Sequence, residues 1–564
     1  MADLFADYSR AMAKSSAYDE MFTPDAQPRE IYGRVDEVLA SLNLSDVEAR
    51  SESMARTFLD RGVTFDFAGE ERAWPLDVVP RIISGTEWSG LSAGVAQRVR
   101  ALEAFLNDVY DRQEVVRDGV IPRSLITTSA HFHRAVHGFS TPGGVRVHIS
   151  GIDLVRDDSG TFRVLEDNVR VPSGVSYVLE NRRAIAKGLP EALTGSGIQP
   201  VEEYPRRLLS ALRKTAPDGV DDPTVVVLTP GVYNSAYFEH TLLAGMMGVE
   251  LVEGRDLICR SDRVYMRTTE GEQRVDVIYK RLDDDFLDPL QFRSDSMLGV
   301  PGVVNAARAG HVTIANAVGN GVADDKLVYT YVPDIIRYYL SEEPIIPNVD
   351  TYRVEEPEAR EEVMDRLDEL VLKPVDGSGG KGLVIGPQAS REELEELRRK
   401  VLSDPRGWIA QPVLQLSTVP TLSDSRLGPR HVDLRPFAVN DGEEVWVLPG
   451  GLTRVALEEG SLVVNSSQGG GSKDTWILDD ESVTEPEPGH TRRRAVPRVW
   501  PSTFNAVAES VERVDEQQQQ SRQRDLPPGA PSASTSSSAP PSPSVLSSPP
   551  AAEEPATAGE EPSC

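Results

Sequence analysis

Between Glu30 and Asp60 apolar residues recur at helical spacing, as Ile31, Val35, Val38, Leu39 and Leu42 and then Met54, Phe58 and Leu59, so packed helices open the chain. Ala96 to Tyr110 repeats the pattern, with Val99, Leu102, Phe105, Leu106 and Val109 on one face of a core helix. From Val145 to Val155 apolar and polar residues alternate, Asp158-Ser159-Gly160 carries turn chemistry, and Phe162 to Leu165 returns, which predicts a β-hairpin. Between Pro223 and Asp288 the pattern changes: TVVVLTPG is a continuous apolar strand, AYFEHTLLAGMMG is helix-like, and VELVEG and VDVIYKRL are strand-like. Such alternation implies a parallel α/β layer. Tyr233, Asn234, Arg281 and Asp283 stand at or near its expected strand ends, where ligands of open sheets collect and where simple caps also occur. Val371-Leu372 and Leu383-Val384-Ile385 are short β-forming runs on either side of a glycine-rich loop, so the loop should join antiparallel strands. From Asp515 onward Gln, Pro, Ser, Ala and Glu dominate, the signature of a solvated, disordered tail.

A chain of 564 residues with 39% hydrophobic content can bury a large core and should hold several subdomains. Its 59 basic and 89 acidic residues give a net charge of −30, which disfavours nucleic acid or an anionic membrane as partner, so any phosphate site must be a local positive spot. Cys259 and Cys564 are too few for a disulfide framework, the N-terminus has no apolar leader, and no uncharged apolar stretch reaches membrane-spanning length. A soluble, cytoplasmic protein is expected.

The loop itself reads VLKPVDGSGGKGLVIGP. Gly377, Gly379, Gly380 and Gly382 lack Cβ atoms, which lets the backbone N–H groups of the loop, Ser378 and Lys381 included, approach phosphate oxygens, while Lys373 adds a point charge. A dinucleotide fingerprint would open a helix after the glycines, but none starts before the Glu-rich stretch near Arg391. A Walker A loop needs Ser or Thr where Gly382 stands, and a kinase places its lysine after the loop. The nucleotide fold that remains is the ATP-grasp; a surface hairpin with a glycine-rich turn would read the same way on the loop alone.

In the earlier hairpin Glu166 and Asn168 share one face at the end of the return strand, with Asp153 on the partner strand. Two carboxylates and an amide oxygen make a hard oxygen site suited to Mg²⁺, although acidic hairpin ends are also ordinary solvated turns. His131, His133 and His137 do not have the spacing of a zinc helix, and no Cys joins them. No convincing Ser-His-Asp or Cys-His set is present.

Together IDLVRD, LEDNVRVPSGVSYVLENR, DDDFLDP, KPVDGSGGKG and DLRPFAV resemble the circularly permuted ATP-grasp proteins of type 2, relatives of glutathionylspermidine synthetases, over about Tyr18 to Leu478. The resemblance implies an α/β (α+β) fold with a helical segment over 1–75, an ATP-grasp portion with the metal hairpin over 76–200, and a preATP-grasp-like layer over 201–310. The Gly-loop portion then follows over 311–485, and a linker and tail over 486–564. It implies ATP and Mg²⁺ (or Mn²⁺) as cofactors, metal ligation by Asp153, Glu166 and Asn168, nucleotide contacts from Lys326 and Lys373, and Gln411 at the adenine hinge. Arg435 or Arg454 could neutralise a transferring phosphoryl group, and NSSQGGGSKDTW would suit a loop near the triphosphate. The synthetases carry an arginine two residues before the metal Asp where this chain has Gly151, so Arg146 or His148 would have to serve in its place. The implied reaction is ATP-dependent carboxylate–amine ligation through an acylphosphate on a peptide or amino-acid-like substrate, with an alpha-E domain protein as partner. A phosphotransferase and a non-catalytic nucleotide-binding scaffold are the alternatives.

Overall fold

A computed structural model describes residues 4–67, 70–377, 382–464 and 470–479. The chain divides into two units, Met1–Glu485 and Pro486–Cys564, and every described residue belongs to the first. The tail expected after Asp515 lies outside the described residues.

Helix α1 (Gly85–Val109) starts eleven residues before the expected Ala96, capped by the Ser84 side chain, which accepts from the Glu87 N–H. Trp88, Leu91 and Val95 extend the apolar stripe backwards, but Gly90 and Gly94 between them read as breakers. Gly94 is a packing glycine: a Cβ there would lie 2.4 Å from Ile346 Cγ1.

Strands β1 (Ile149–Arg156) and β2 (Phe162–Asn168) form the expected hairpin, with Asp153 directly opposite Glu166 and Gly151 opposite Asn168. Between Asp153 and Leu154 the register shifts, leaving Leu165 as the extra residue of a bulge. Every residue of β1 is buried, and the strand begins at Ile149, not Val145. The reason is that both faces of the sheet are covered: Ile149 belongs to one apolar cluster, with Phe437 and Val439, while Ile152 and Leu154 belong to another, with Val164 and Ala438. The period-2 pattern therefore separates two cores, not core from solvent. The hairpin forms one side of a four-stranded antiparallel sheet, with Phe162–Asn168 at its edge, that continues through Phe437–Asn440 to Val445–Val447.

Helix α2 (Val175–Gly188) follows the hairpin in the chain. A second sheet is wholly parallel, ordered Thr313–Ala315, Val277–Lys280, Val225–Leu228, Glu250–Val252, as the alternating segments implied. Helix α3 (Lys326–Leu340) begins at Lys326 because Asp325 caps it, accepting from Leu327 N–H at 2.9 Å.

The third layer is a small lobe. Strands β3 (Leu370–Pro374) and β4 (Val384–Ile385) pair antiparallel across the glycine loop, with Val371 opposite Ile385. Helix α4 (Arg391–Ser403) then starts at a capping box of Ser390 and Glu393, and β5 (Trp408–Pro412) returns beside β3. Leu370, Leu372, Leu397, Val401 and Ala410 close a separate core here, so the lobe carrying the glycine loop packs as its own body. Among the described residues no helix is long and apolar enough to cross a membrane.

Candidate functional site

A cavity of about 720 Å³ opens between the β1–β2 hairpin and the small lobe. From the hairpin it is lined by Asp153 and Glu166, from the start of α3 by Lys326, and from the lobe by Lys373, Gly377, Gly382 and Gln411. Stretches some two hundred residues apart in sequence thus face one space. Ser378, Gly379, Gly380 and Lys381, and Asn465 to Gly469 of the NSSQGGGSKDTW segment, lie outside the described residues.

Lys326 spans the junction. Its Nζ donates to the Gly377 carbonyl at 2.5 Å and stands 3.7 Å from Glu166 Oε2. Lys373 is half-buried in the cleft. Desolvation pushes its ammonium down to about 8, with Lys326 acting in the same sense and Glu166 and Asp153 opposing. Gln411 is buried in β5 opposite Val371, and its amide donates to Thr351 Oγ1 at 2.9 Å.

Arg435 and Arg454 converge on Asp153. Arg435 forks onto the carboxylate with Nε and Nη2, the latter at 2.7 Å, and Arg454 Nη2 reaches Oδ2 at 2.6 Å. Burial would raise the Asp153 pKa, but the two guanidiniums outweigh it and hold the carboxyl well below the usual carboxylate range. Arg435 Nη2 also stands 3.9 Å from Glu166 Oε1, and its Nη1 donates to the Ser173 carbonyl at 3.3 Å. Sequence reasoning missed Asp433, a fully buried carboxylate that lines the cavity and grips Arg454. A signal was there: in HVDLRPF, Asp433 and Arg435 alternate on one side of an extended segment that pairs with Leu452 to Val455.

The hairpin fits a hard cation through Glu166 and Asn168. Among the described residues the ion-pair partners of the Glu166 carboxylate are Lys326 and Arg435, each beyond hydrogen-bond distance, and the Asn168 Nδ2 is buried without a hydrogen-bond partner, so turning the amide presents Oδ1 instead. A carboxylate offers roughly four lone-pair sites. Arginines fill three on Asp153, leaving one on Oδ1. Among the described residues no group of three or more His, Cys, Asp or Glu side chains could hold a metal ion.

Arg146 is a correction to the sequence expectation. Its side chain is buried away from the cleft, donating to the Phe139 carbonyl at 2.8 Å and to Asn107 Oδ1 at 3.2 Å and lying over the Tyr110 ring, so it is a structural group. His148 is likewise buried, 3.1 Å from Thr215 Oγ1, and burial pushes it down to about 4. The place the synthetases give to arginine is filled otherwise: a Cβ on Gly151 would stand 3.1 Å from Arg435 Cδ and 3.3 Å from Pro172 Cβ. At the ends of the parallel sheet Arg281 is spent on Glu239, Tyr279 and the Pro172 carbonyl, Asp283 pairs with Arg170 at 3.0 Å, and Asn234 caps Ala236, while Tyr233 is fully exposed.

Antiparallel strands flanking a glycine-rich segment, facing the Asp153 and Glu166 carboxylates of a hairpin across a cleft, define an ATP-grasp architecture. The chain belongs to the circularly permuted ATP-grasp type 2 family, whose description matches residues 80–456. It is similar to an uncharacterized protein of Mycobacterium leprae, 61% identical over 84% of this chain and 85% of that one. A longer Frankia casuarinae protein that carries the provisional name glutamate--cysteine ligase 2-2 is 46% identical over 82% of this chain and 54% of its own length. Among solved structures, a glutathione synthetase-like effector of Globodera pallida shares the fold at TM-score 0.52 and 11% identity, over 78% of this chain and 98% of that one.

Proposed function

We propose that the protein is an ATP-dependent carboxylate–amine ligase acting on a peptide or amino-acid-like acid. The observation that carries this reading is the single cleft into which Asp153, Glu166, Lys326, Lys373 and the ends of the glycine loop all project. The ligase-type names of a Frankia relative and of the Globodera structural neighbour support it. The triphosphate lies under the glycine loop, with Lys373 and Lys326 countering its charge. A substrate carboxylate attacks the γ-phosphorus, ADP leaves, and an acylphosphate forms. An amine then adds to the acyl carbon, phosphate departs with its oxygen, and the amine loses a proton to give the amide. Glu166, Asn168 and the free lone pair of Asp153 would hold Mg²⁺, which supplies charge neutralisation between the phosphates. No side-chain nucleophile is needed, since positioning and electrostatic stabilisation carry phosphoryl transfer.

Glu166→Ala tests the assignment. ADP release in the presence of a host metabolite extract should fall by about a hundredfold or more, with the circular dichroism spectrum unchanged because Glu166 stands at the cleft surface. Mass spectrometry of peptides and metabolites in a host carrying the variant would show the acid accumulating and the amide missing. Unaltered turnover would reject the metal role.

Lys373 gives a second test through pH. Its ammonium is present below about 8 and lost above it, and a bound triphosphate favours the charged form. Mg-ATP affinity should therefore be level between about pH 6 and 7 and fall by up to about tenfold per pH unit well above 8. Lys373→Arg, charged throughout, should flatten the profile in calorimetric titrations. A wild-type profile that is level to pH 10 would remove Lys373 from the nucleotide contacts.

A further inference from the structure

The two arginines on Asp153 are not equivalent. Arg435 uses Nε and Nη2 on Asp153 and Nη1 on the Ser173 carbonyl, and it does not line the cavity. Arg454 lines it. Its Nε lies 3.0 Å from both oxygens of Asp433, and its Nη2 donates to Asp433 Oδ2 and, at 2.6 Å, to Asp153 Oδ2. A guanidinium has five N–H groups, and Nε and Nη2 account for three. Both hydrogens of Nη1 remain, with no hydrogen-bond partner among the described residues.

The backbone reinforces this arrangement. Asp433 N–H donates to the Arg454 carbonyl at 3.1 Å, and Arg454 N–H stands 3.3 Å from Asp433 Oδ1, so the two residues are locked as a pair across adjacent extended segments. Held by Asp153 alone, through one nitrogen, the guanidinium could swing about that contact. Taken along its Nε–Nη2 edge by a fully buried Asp433, it has a fixed plane, and the edge left over is the one open to the cleft.

The geometry points to Asp433 as the positioning residue that aims Arg454 at the transferred γ-phosphoryl group, with Arg435 serving Asp153 and the Ser173 loop instead. This rests on the nucleotide reading above. It also accounts for a buried carboxylate beside a triphosphate site: Asp433 is neutralised by the residue it orients.

Calorimetric titration of the full chain with Mg-AMPPNP and with Mg-ADP separates the roles, because the two nucleotides differ in the γ-phosphoryl group. Arg454→Gln and Asp433→Asn should each weaken AMPPNP binding by about tenfold and leave ADP binding within about twofold. The double variant should be no worse than Arg454→Gln alone, since Asp433 acts only through Arg454. Equal losses for both nucleotides, or losses that add in the double variant, would overturn the inference. If Asp433→Asn does not fold, Asp433→Glu gives the same comparison by moving the anchoring charge one methylene. A wild-type protein that binds neither nucleotide would instead reject the nucleotide reading on which the inference stands.

Discussion

Asp153→Ala is expected to lower folding stability by about 3–5 kcal/mol, because it leaves Arg435 as an uncompensated, nearly buried cation and takes from Arg454 one of its two carboxylates. Asp153 is 1% exposed and, among the described residues, is the carboxylate to which both guanidiniums donate hydrogen bonds. Arg454 keeps Asp433, whereas Arg435 keeps only the Ser173 carbonyl and a Glu166 oxygen 3.9 Å away. Most of the loss should therefore trace to Arg435. Urea denaturation at neutral pH measures it, and Asp153→Ala with Arg435→Met should recover a large part, since removing both partners of a buried pair costs far less than removing one. The sign of the pH dependence follows from the depressed carboxyl: the Asp153 contribution is complete above the ordinary Asp range and persists through mild acid. A midpoint equal to that of the wild type would mean that the two arginines find water.

The same network shows what could be read from sequence. The Asp153–Glu166 pairing followed from strand alternation and a turn, both local rules, and so did the β3–β4 pairing across the glycine loop. Their meeting in one cleft was not local. It was anticipated because the order of the motifs resembles a permuted ATP-grasp protein, and the small lobe with its own core is what brings Lys373 over the hairpin. Arg146 failed because nearness in sequence to the metal hairpin says nothing about direction: the residues before Ile149 are irregular, and the guanidinium turns into the packing around Tyr110. Asp433 was overlooked because a lone acidic residue in an apolar strand has no short-range signature; only its pairing with the Leu452–Val455 segment sets it against Arg454. The chain before α1 is tied closer to the site than helical spacing can show.

That tie is Arg81. Its side chain is wholly buried, forks onto Glu20 at 2.8 and 2.5 Å, and donates its remaining Nη1 to the carbonyl of Asp433 at 2.9 Å. Ser417 also donates to Glu20, and Arg156 stands 3.6 Å from it. Burial alone would raise the Glu20 pKa, but Arg81 and then Arg156 bring it down to about 2. Arg81→Met should therefore cost about 3–5 kcal/mol, because Glu20 is left buried with the Ser417 hydroxyl and one longer-range cation, Arg156. A folded pKa below the unfolded one gives stability that is present above about 4.5 and lost as the pH falls toward 2. The difference between wild type and Arg81→Met should accordingly be full at pH 7 and shrink in acid as Glu20 takes up a proton. Urea midpoints at pH 7 and pH 3 check it, and Glu20→Gln with Arg81→Met should restore part of the neutral-pH loss. Since Arg81 also fixes the backbone at Asp433, the single variant should weaken Mg-AMPPNP binding even where folding is preserved by low temperature. A difference that is the same at both pH values would show that the Glu20 charge is not what Arg81 compensates, and the link from the opening segment to the cleft would then rest on packing alone.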